Sequence, residues 1–383
     1  MLIEQFENEI TIEQISDLHP SQYLLVDVRD DISHDYGCIP NSISMENIVD
    51  EAKEGRLDKS KSYILYCMHG RISDTMAFDL RQLGYDALSL KHGYAAWLKA
   101  ALGRIDPRVQ MKAESSIREE YKELLLDPFI KAIEIYQLVE EGDKIAVCIS
   151  GGKDSMLMAK IFEEVQTIYH KKFELLFLVM DPGYSELNRM LIEDNARKLG
   201  VPITIFESSI FNIVDEVEKS PCYLCARMRR GNLYATAKEH GCNKIALGHH
   251  YDDAIETILM GMTYAGNYQT MMPKLKSDNF EGMEVIRPMY LIREKDIISW
   301  RDFNELHFIQ CACHFTDTCS SCRDDGTAVS KRMETKKLIE RLKKMIPDIE
   351  ANIFASASNI DLDNIVAYKK GKDKYTFLDN YNK

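Results

Sequence analysis

One stretch of twelve residues constrains the fold of this chain more than any other: residues 144–155 read KIAVCISGGKDS. Its apolar, β-branched beginning is typical of a buried strand, and the apolar residues that follow Ser155 have the content of a helix. Between the two, Gly151 and Gly152 let backbone amides approach an anion without a Cβ in the way. The stretch therefore predicts a strand, a phosphate-binding loop and a helix whose amino end points at the anion.

This loop differs from two common nucleotide-binding motifs, because it has neither the GxxxxGKS spacing of a P-loop nor the GxGxxG of a dinucleotide fold. SGGKDS resembles instead the PP-loop of ATP pyrophosphatases, enzymes that split ATP between the α and β phosphates and pass adenylate to an acceptor. The resemblance implies that ATP is bound by Ser150, Gly151, Gly152, Lys153, Asp154 and Ser155. A Gly-Gly turn with chance polar neighbours is the alternative, and the match of six residues in context disfavours it.

Composition limits the class of protein. A length of 383 residues predicts two or three domains, and an apolar content of 45% predicts a globular core. No run of eighteen apolar residues occurs, so we expect a soluble, cytoplasmic protein that does not enter membranes. Ten cysteines without a secretion signal favour thiol chemistry or metal binding over disulfides. The net charge of −13 disfavours a nucleic-acid partner at first sight, although basic clusters are present.

Residues 1–105 contain a second strand-to-helix junction. A strand predicted at 62–66 runs into CMHGRIS at 67–73, and a helix is predicted at 74–83. Cys67 therefore lies at the carboxyl end of a strand and the amino end of a helix, where loop amides and the helix dipole stabilise a thiolate or a persulfide. The pattern predicts a nucleophilic cysteine, and a buried structural thiol is the alternative.

The pieces VDVR, GCIPNSI, YCMHGRIS and GYAAW together resemble a rhodanese domain, which carries sulfane sulfur as a cysteine persulfide. The resemblance covers the whole segment and implies that Cys67 is the sulfur carrier. One position departs from the pattern: many rhodanese loops have arginine directly before the serine, whereas here Ile72 precedes Ser73 and Arg71 stands one residue earlier. The sulfur donor therefore stays open, with a cysteine desulfurase or thiosulfate as candidates.

Residues 106–143 read as a helical connector. Asp106 and Pro107 break the chain, and a charged helical pattern follows from 111 to about 136, interrupted at Asp127 and Pro128. The charge indicates an exposed bridge with one side packed on the next domain.

Residues 144–330 alternate between strand and helix patterns, which predicts a doubly wound parallel sheet with its site at the carboxyl ends of the strands. An apolar strand at 173–181 ends in a carboxylate, and a strand at 244–247 runs into GHHYDDAIET. We expect four residues at these ends to line the nucleotide: Asp181, Gly248, Asp252 and Asp253.

Carboxylates beside a nucleotide predict a magnesium site. Asp253 and Glu256 are three residues apart and share a helix face, and Asp154 with Asp252 or Asp253 is the expected ligand set. A helix N-cap is the alternative role for Asp252 and Asp253.

Six cysteines fall in three close pairs, at 222 and 225, at 311 and 313, and at 319 and 322. A single CxxC is ambiguous between zinc, iron-sulfur and redox sites. Thiolate pairs from distant segments commonly hold an iron-sulfur cluster or a structural zinc.

Six ordered pieces over roughly residues 115–360 resemble the tRNA 2-thiocytidine synthetase family: SGGKDS, PCYLCARMRRGNLY, LGHHYDDAIETILM, MMPKL, VIRPMYLIREKDI and FIQCAC. The resemblance implies an adenine nucleotide α hydrolase-like sheet that binds ATP and Mg²⁺ and replaces the C2 oxygen of a tRNA anticodon-loop cytidine by sulfur. It also implies a 4Fe-4S cluster on three cysteines, which correspond here to Cys222, Cys225 and Cys311, with Cys313 as the nearest competitor for the third place. The residues expected to be catalytic are Cys67, Asp154, Cys222 and Cys225.

Residues 314–325 depart from the family pattern and carry the extra pair Cys319 and Cys322. This pair has three open interpretations: a zinc half-site together with Cys313 or Cys311, a sulfur relay, or exposed thiols. Residues 331–383 read as a basic helix and a polar, flexible tail; with Arg227, Arg229 and Arg230 they form either a solvated face or a tRNA phosphate contact.

Three functions follow in order of support. The first is tRNA thiolation, in which tRNA is the partner and a homodimer is compatible with the function. The second is a PP-loop sulfurtransferase for another RNA position or a small molecule, which the acidic charge favours. The third is a zinc-binding module for RNA binding or redox sensing.

Overall fold

The structure, a computed structural model, describes residues 2–103, 106–208, 210, 221–308, 331–379 and 381, without the side chains of residues 32, 36 and 221–226. It divides into two compact units, Met1–His250 with Pro273–Val329 and Tyr251–Met272 with Ser330–Lys383. Across the described ranges, every helix is too short or too polar to cross a lipid bilayer.

The first sheet belongs to the amino-terminal segment and has five parallel strands in the order β1-β5-β4-β2-β3. The strands are β1 Glu9–Ile10, β2 Tyr23–Asp27, β3 Ile43–Ser44, β4 Ser62–Tyr66 and β5 Asp86–Leu90. The helices are α1 Leu2–Phe6, α2 Ile12–Ser16, α3 Asp31–Tyr36, α4 Ile48–Lys53, α5 Arg71–Gln82 and α6 Gly93–Ala101, with a 3-10 turn at Pro20–Gln22. The strand predicted at 62–66 is confirmed, and the helix after it begins three residues earlier than predicted.

The second sheet has six strands in the order β10-β11-β9-β6-β7-β8, all parallel except β10, which runs antiparallel to β11. The strands are β6 Lys144–Ile149, β7 Glu174–Asp181, β8 Ile203–Glu207, β9 Lys244–Ala246, β10 Lys274–Lys276 and β11 Glu284–Ile286. The strand order reverses at β6, which lies between β7 and β9. Ligands of open α/β sheets bind at such a switch point, so the topology directs attention to the loop after β6.

The remaining helices are α7 Pro107–Arg118, α8 Asp127–Ile135, α9 Lys153–Ile168, α10 Glu186–Leu199, α11 Pro221–Glu239, α12 Tyr251–Tyr264, α13 Glu294–Phe303, α14 Lys331–Met345 and α15 Ile349–Ser356. A π-helical turn at Lys122–Leu126 joins α7 to α8. The architecture predicted for the two domains, an α/β domain followed by a doubly wound sheet of mainly parallel strands, is confirmed by this order of elements.

Both sheets of the first unit contribute to one hydrophobic core. The same cluster of buried side chains contains Ile64 of β4, Leu88 of β5, Phe129 of α8 and Val147 of β6. All four are 0% exposed. The sides of the two sheets that contribute these residues therefore share one hydrophobic core.

The packing expected for one side of the connector is present, because α7 and α8 contribute to this core. Ala113, Ile117, Phe129 and Ile133 are each 0% exposed. The helical pattern is interrupted at 119–121 and not, as predicted, at Asp127 and Pro128. Pro128 lies in the first turn of α8, where its missing N–H is not needed. The charges that suggested exposure occupy the other faces of these helices.

The amino-terminal segment also contacts the second sheet's domain directly. The ring of Trp97 on α6 lies edge-on against His307, with centroids 4.6 Å apart, and Arg301 Nη1 donates a hydrogen bond to the Asp35 carbonyl at 2.8 Å. Burial, with Arg301 and Lys198 nearby, lowers the pKa of His307 to about 4. His307 is therefore neutral at pH 7 and packs as an aromatic side chain.

The second unit forms around α12, α14 and α15. Tyr251 stacks on Phe354 with centroids 4.1 Å apart, and Arg332 Nε donates to Glu256 Oε2 at 2.6 Å. The tail predicted to be a flexible extension contains instead an antiparallel hairpin of β12 Ala367–Lys370 and β13 Asp373–Thr376, flanked by 3-10 turns at Leu362–Asn364 and Phe377–Asp379. Its two-residue turn begins with Gly371 at φ +65°, a conformation that glycine adopts readily.

The burial of α8 can be tested with two isoleucines of the same helix. Ile133→Ala should lower the free energy of unfolding by about 2–5 kcal/mol, because it leaves a cavity in the shared core. Ile135→Ala is the matched control: Ile135 is 56% exposed, and its truncation should cost about 0.5 kcal/mol or less. Urea denaturation followed by circular dichroism measures both. Equal, small effects would contradict the shared core.

Candidate phosphate-binding and sulfur-carrying sites

The loop between β6 and α9 forms the turn that the sequence predicts. Gly151 has φ +89°, and Gly152 is the extended N-cap of α9. Ser155 Oγ accepts a hydrogen bond from the Ser150 amide at 3.1 Å and donates one to the Gly152 carbonyl at 3.0 Å. These bonds fix the amino end of a 16-residue helix at the switch point of the sheet, a position that favours an anion.

Lys153 begins α9, and its ammonium group lies between two carboxylates. The side chain is 2% exposed, and Nζ lies 3.1 Å from Asp154 Oδ1 and 3.1 Å from Glu294 Oε1. The sequence did not indicate Glu294, which starts α13 and is 141 residues away. The signal was present in the piece VIRPMYLIREKDI, which contains Glu294 but assigns it no role. A phosphate bound by Lys153 would compete with this carboxylate.

Asp181 ends β7, and its carboxylate accepts hydrogen bonds from the turn that follows the strand. Its Oδ1 accepts from the amides of Gly183 at 2.9 Å and Tyr184 at 2.7 Å, and its Oδ2 lies 2.8 Å from Arg189 Nη1. These contacts hold the turn after β7. The nucleotide contact expected for Asp181 stays a prediction.

Gly248 brings the loop after β9 against the start of α9. A Cβ at this position would lie 3.2 Å from the Ser155 nitrogen and 3.3 Å from the Asp154 carbonyl carbon, closer than most side chains pack. His250 follows, with Nε2 3.9 Å from Asp154 Oδ1. Of the residues predicted to line the nucleotide, the structure thus brings Gly248 together with the phosphate loop.

Asp252 and Asp253 lie in the first turn of α12, in the second unit. Within that unit, Asp253 Oδ1 lies 2.9 Å from Arg332 Nη2, and Glu256 is buried against the same guanidinium. Among the described residues, no three His, Cys, Asp or Glu side chains are grouped as metal ligands. The magnesium ligands therefore stay a prediction.

Cys67 lies in a cradle of hydrogen-bond donors at the end of β4. Its side chain is buried, and Sγ accepts from the Gly70 amide at 3.2 Å and from Ser73 Oγ at 3.6 Å. Gly93 closes the other side, where a Cβ would lie 2.2 Å from the Cys67 carbonyl oxygen, so that only glycine fits. Two hydrogen-bond donors at the start of α5 thus point at the Cys67 sulfur.

The structure gives only part of the predicted cysteine site. Cys222 and Cys225 lie in the first two turns of α11. Cys311, Cys313, Cys319 and Cys322 lie outside the described residues. Burial raises the pKa of the Cys148 thiol to about 12, which suits a core residue.

Two protein families match the chain: a PP-loop domain over residues 115–314 and a rhodanese-like domain over residues 11–100. A tRNA-cytidine(32) 2-sulfurtransferase of Alcanivorax borkumensis is 39% identical over 236 residues, which are 60% of this chain and 78% of that protein. The enzyme of the same name from Citrifermentans bemidjiense is 35% identical over 60% of this chain and 88% of its own length.

Among solved structures, the U34-tRNA thiolase NcsA from Methanococcus maripaludis with its 4Fe-4S cluster is 20% identical, with a TM-score of 0.47 over 61% of this chain and 76% of that chain. A rhodanese-related protein from Thermoplasma volcanium is 26% identical, with a TM-score of 0.23 over 24% of this chain and 93% of that chain.

Lys153→Met should weaken the binding of a non-hydrolysable ATP analogue about ten- to a hundredfold, as expected for the loss of a charged hydrogen bond worth about 1.5–3 kcal/mol. Glu294→Gln should tighten it, because a carboxylate no longer competes for the ammonium group. Isothermal titration calorimetry measures both, with the exposed Glu305→Gln as control for the lost charge. Weakening by Glu294→Gln would contradict competition and indicate that Glu294 helps to bind the nucleotide.

Proposed function

Since the chain belongs to the PP-loop family of tRNA-cytidine 2-sulfurtransferases and carries a rhodanese-like domain before it, we propose that it is an ATP-dependent tRNA thiolase. Its product is 2-thiocytidine, at the anticodon-loop position 32 that the relatives' name gives. One observation carries the proposal: a phosphate loop and a cysteine whose sulfur accepts hydrogen bonds from loop donors lie in one folded unit. A tRNA-modifying enzyme of this kind acts in the cytoplasm.

The first step activates the base. Lys153 and the amides of the SGGKDS loop bind the ATP phosphates, and the cytidine O2 attacks the α-phosphorus. The bond between the α and β phosphates breaks, and pyrophosphate leaves. Lys153 neutralises the charge that develops on the leaving group, which is most effective at a buried position. Its contact with Glu294 is exchanged for a phosphate oxygen.

The second step replaces oxygen by sulfur. Cys67 carries the sulfur as a persulfide, whose terminal sulfur accepts from the Gly70 amide and Ser73 Oγ that now contact Sγ. Release of this sulfur as hydrosulfide breaks the S–S bond, consumes two electrons from a thiol reductant and returns Cys67 as a thiolate. Hydrosulfide adds to C2 of the adenylated base, the C2–O bond breaks, and AMP leaves with the oxygen. A cysteine desulfurase or thiosulfate recharges Cys67.

The cysteines of α11 suit an iron-sulfur cluster. Cys222 and Cys225, near the amino end of this helix, are proposed as two of its ligands, and Cys311 is proposed as the third. When bound by these three cysteines, a 4Fe-4S cluster would supply a binding place for inorganic sulfur. We also propose Asp154 as a magnesium ligand; the further ligand expected from the sequence, Asp252 or Asp253, stays a prediction.

Two other functions are each favoured by one observation. The net charge of −13 favours a small-molecule acceptor or a different RNA position, and the extra pair Cys319 and Cys322 favours zinc, with Cys313 as a further ligand. Filter binding of tRNA at several salt concentrations tests the first, since phosphate contacts give a steep salt dependence. Iron and acid-labile sulfide in anaerobically purified protein would exclude a zinc-only site.

Substitution of single cysteines tests the sulfur route. Cys67→Ser should abolish 2-thiocytidine with persulfide donors and leave it intact when sulfide is supplied directly, whereas Cys222→Ser should abolish it with both. Cys38→Ser, at a half-buried thiol of the same domain, is the control and should change nothing. Mass spectrometry of tRNA nucleosides gives the readout. Full thiolation by Cys67→Ser with every donor would contradict the relay.

A further inference from the structure

Positive charge is concentrated at the carboxyl end of this acidic chain. Residues 331–383 contain twelve Lys and Arg against eight Asp and Glu, whereas residues 1–330 contain 36 against 53. The carboxyl-terminal segment therefore attracts anions although the whole protein repels them. The PP-loop family match ends at residue 314, before this segment begins.

The hairpin of β12 and β13 brings part of this charge together. Lys369 pairs directly with Lys374 across the two strands. Like charges in opposing positions destabilise a hairpin, and a two-stranded hairpin is only marginally stable in water. Four exposed lysines, none with an ion pair in the described part of the chain, lie on this element: Lys369, Lys370, Lys372 and Lys374. Such an arrangement costs folding free energy unless an anion binds between the lysines.

Aromatic side chains accompany these lysines. Tyr368 and Tyr375 stack across the strands, with ring centroids 5.1 Å apart and planes at 16°. Tyr375 is 38% exposed, and Phe377 and Tyr381, which follow the hairpin, are 49% and 73% exposed. Exposed aromatic rings beside lysines are the combination with which proteins bind single-stranded nucleic acid, because bases stack on the rings while phosphates meet the ammonium groups.

Helix α14 adds a second set of cations in the same unit. Lys337, Arg341 and Lys344 follow one another at spacings of four and three residues, so they share one helix face, and all three are exposed. Arg332 and Lys336 differ, because they pair with the buried Glu256. One set of basic residues on α14 thus contributes to packing, and another set faces solvent.

We propose that residues 366–379 and Tyr381, together with the exposed basic face of α14, form a docking surface for the tRNA substrate. The lysines bind its phosphates and the aromatic rings stack on unpaired bases. This inference rests on the proposed function and assigns tRNA a binding element apart from both the phosphate loop and Cys67. RNA is favoured over a second copy of the chain, since two copies of a surface rich in unpaired lysines repel each other.

The test removes the two opposing lysines from the full-length protein. Filter binding of an unmodified tRNA transcript with cytidine at position 32 is measured between 50 and 300 mM KCl. Lys369→Gln with Lys374→Gln should lower the slope of log affinity against log salt by about 1.5, since each phosphate contact contributes about 0.7–0.9. Lys61→Gln with Lys131→Gln changes the net charge equally at two exposed lysines elsewhere and should leave the slope unchanged.

Thermal unfolding separates docking from a structural role, because removing the like-charge pair should leave the melting temperature unchanged or raise it. Tyr375→Ala should weaken tRNA binding about tenfold or more, as for the loss of one stacked base, while Tyr375→Phe keeps the affinity.

If the wild type binds tRNA and the lysine variant binds with the same slope, the docking surface is wrong and the proposed function stands. Loss of a dimer in sedimentation velocity without loss of tRNA binding would assign the surface to a second copy. A wild type that does not bind tRNA would overturn both the proposed function and this surface.

Discussion

The shared hydrophobic core of the first unit is the constraint on which the rest of the structure depends. Helices α7 and α8 share this core with residues of both sheets, and Lys160 of α9 lies 2.8 Å from Glu114 of α7. The rhodanese-like sheet is therefore attached along a packed interface and not by a linker alone. Side-chain packing therefore sets the position of this sheet relative to the second one, and with it the positions of Cys67 and the SGGKDS loop within one unit.

Both sites have the same local arrangement of strand, turn and helix. Each lies where a central parallel strand ends in a turn that starts a helix, β4 before Cys67 and β6 before Ser150. A glycine with positive φ shapes each turn, Gly70 and Gly151, and the following helix directs amide groups at one point. One turn holds a sulfur atom and the other suits a phosphate. The difference lies in the side chains: a cysteine in the first, and in the second a buried lysine that needs counter-charges.

The sequence predicts these junctions well because their signals are local. Apolar runs followed by glycines and a helix pattern are contained within about a dozen residues, and the strands at β4 and β6 have the expected bounds. Glu294 could not be found in this way, since its contact with Lys153 depends on the packing of α13. The hairpin at 367–376 was read as a polar tail, since four lysines conceal the alternation of two short strands. The assignment of Cys311 stays a sequence prediction.

The claim that one chain both carries the sulfur and inserts it can be tested by following that sulfur. The purified protein is charged with ³⁵S at the Cys67 persulfide, separated from free donor, and mixed with ATP, Mg²⁺, a thiol reductant and unmodified tRNA for a single turnover. The label should leave Cys67 and appear in 2-thiocytidine at up to one equivalent per chain, and only with ATP present. Label that stays on the protein while unlabelled sulfide thiolates the tRNA at the same rate would contradict the claim.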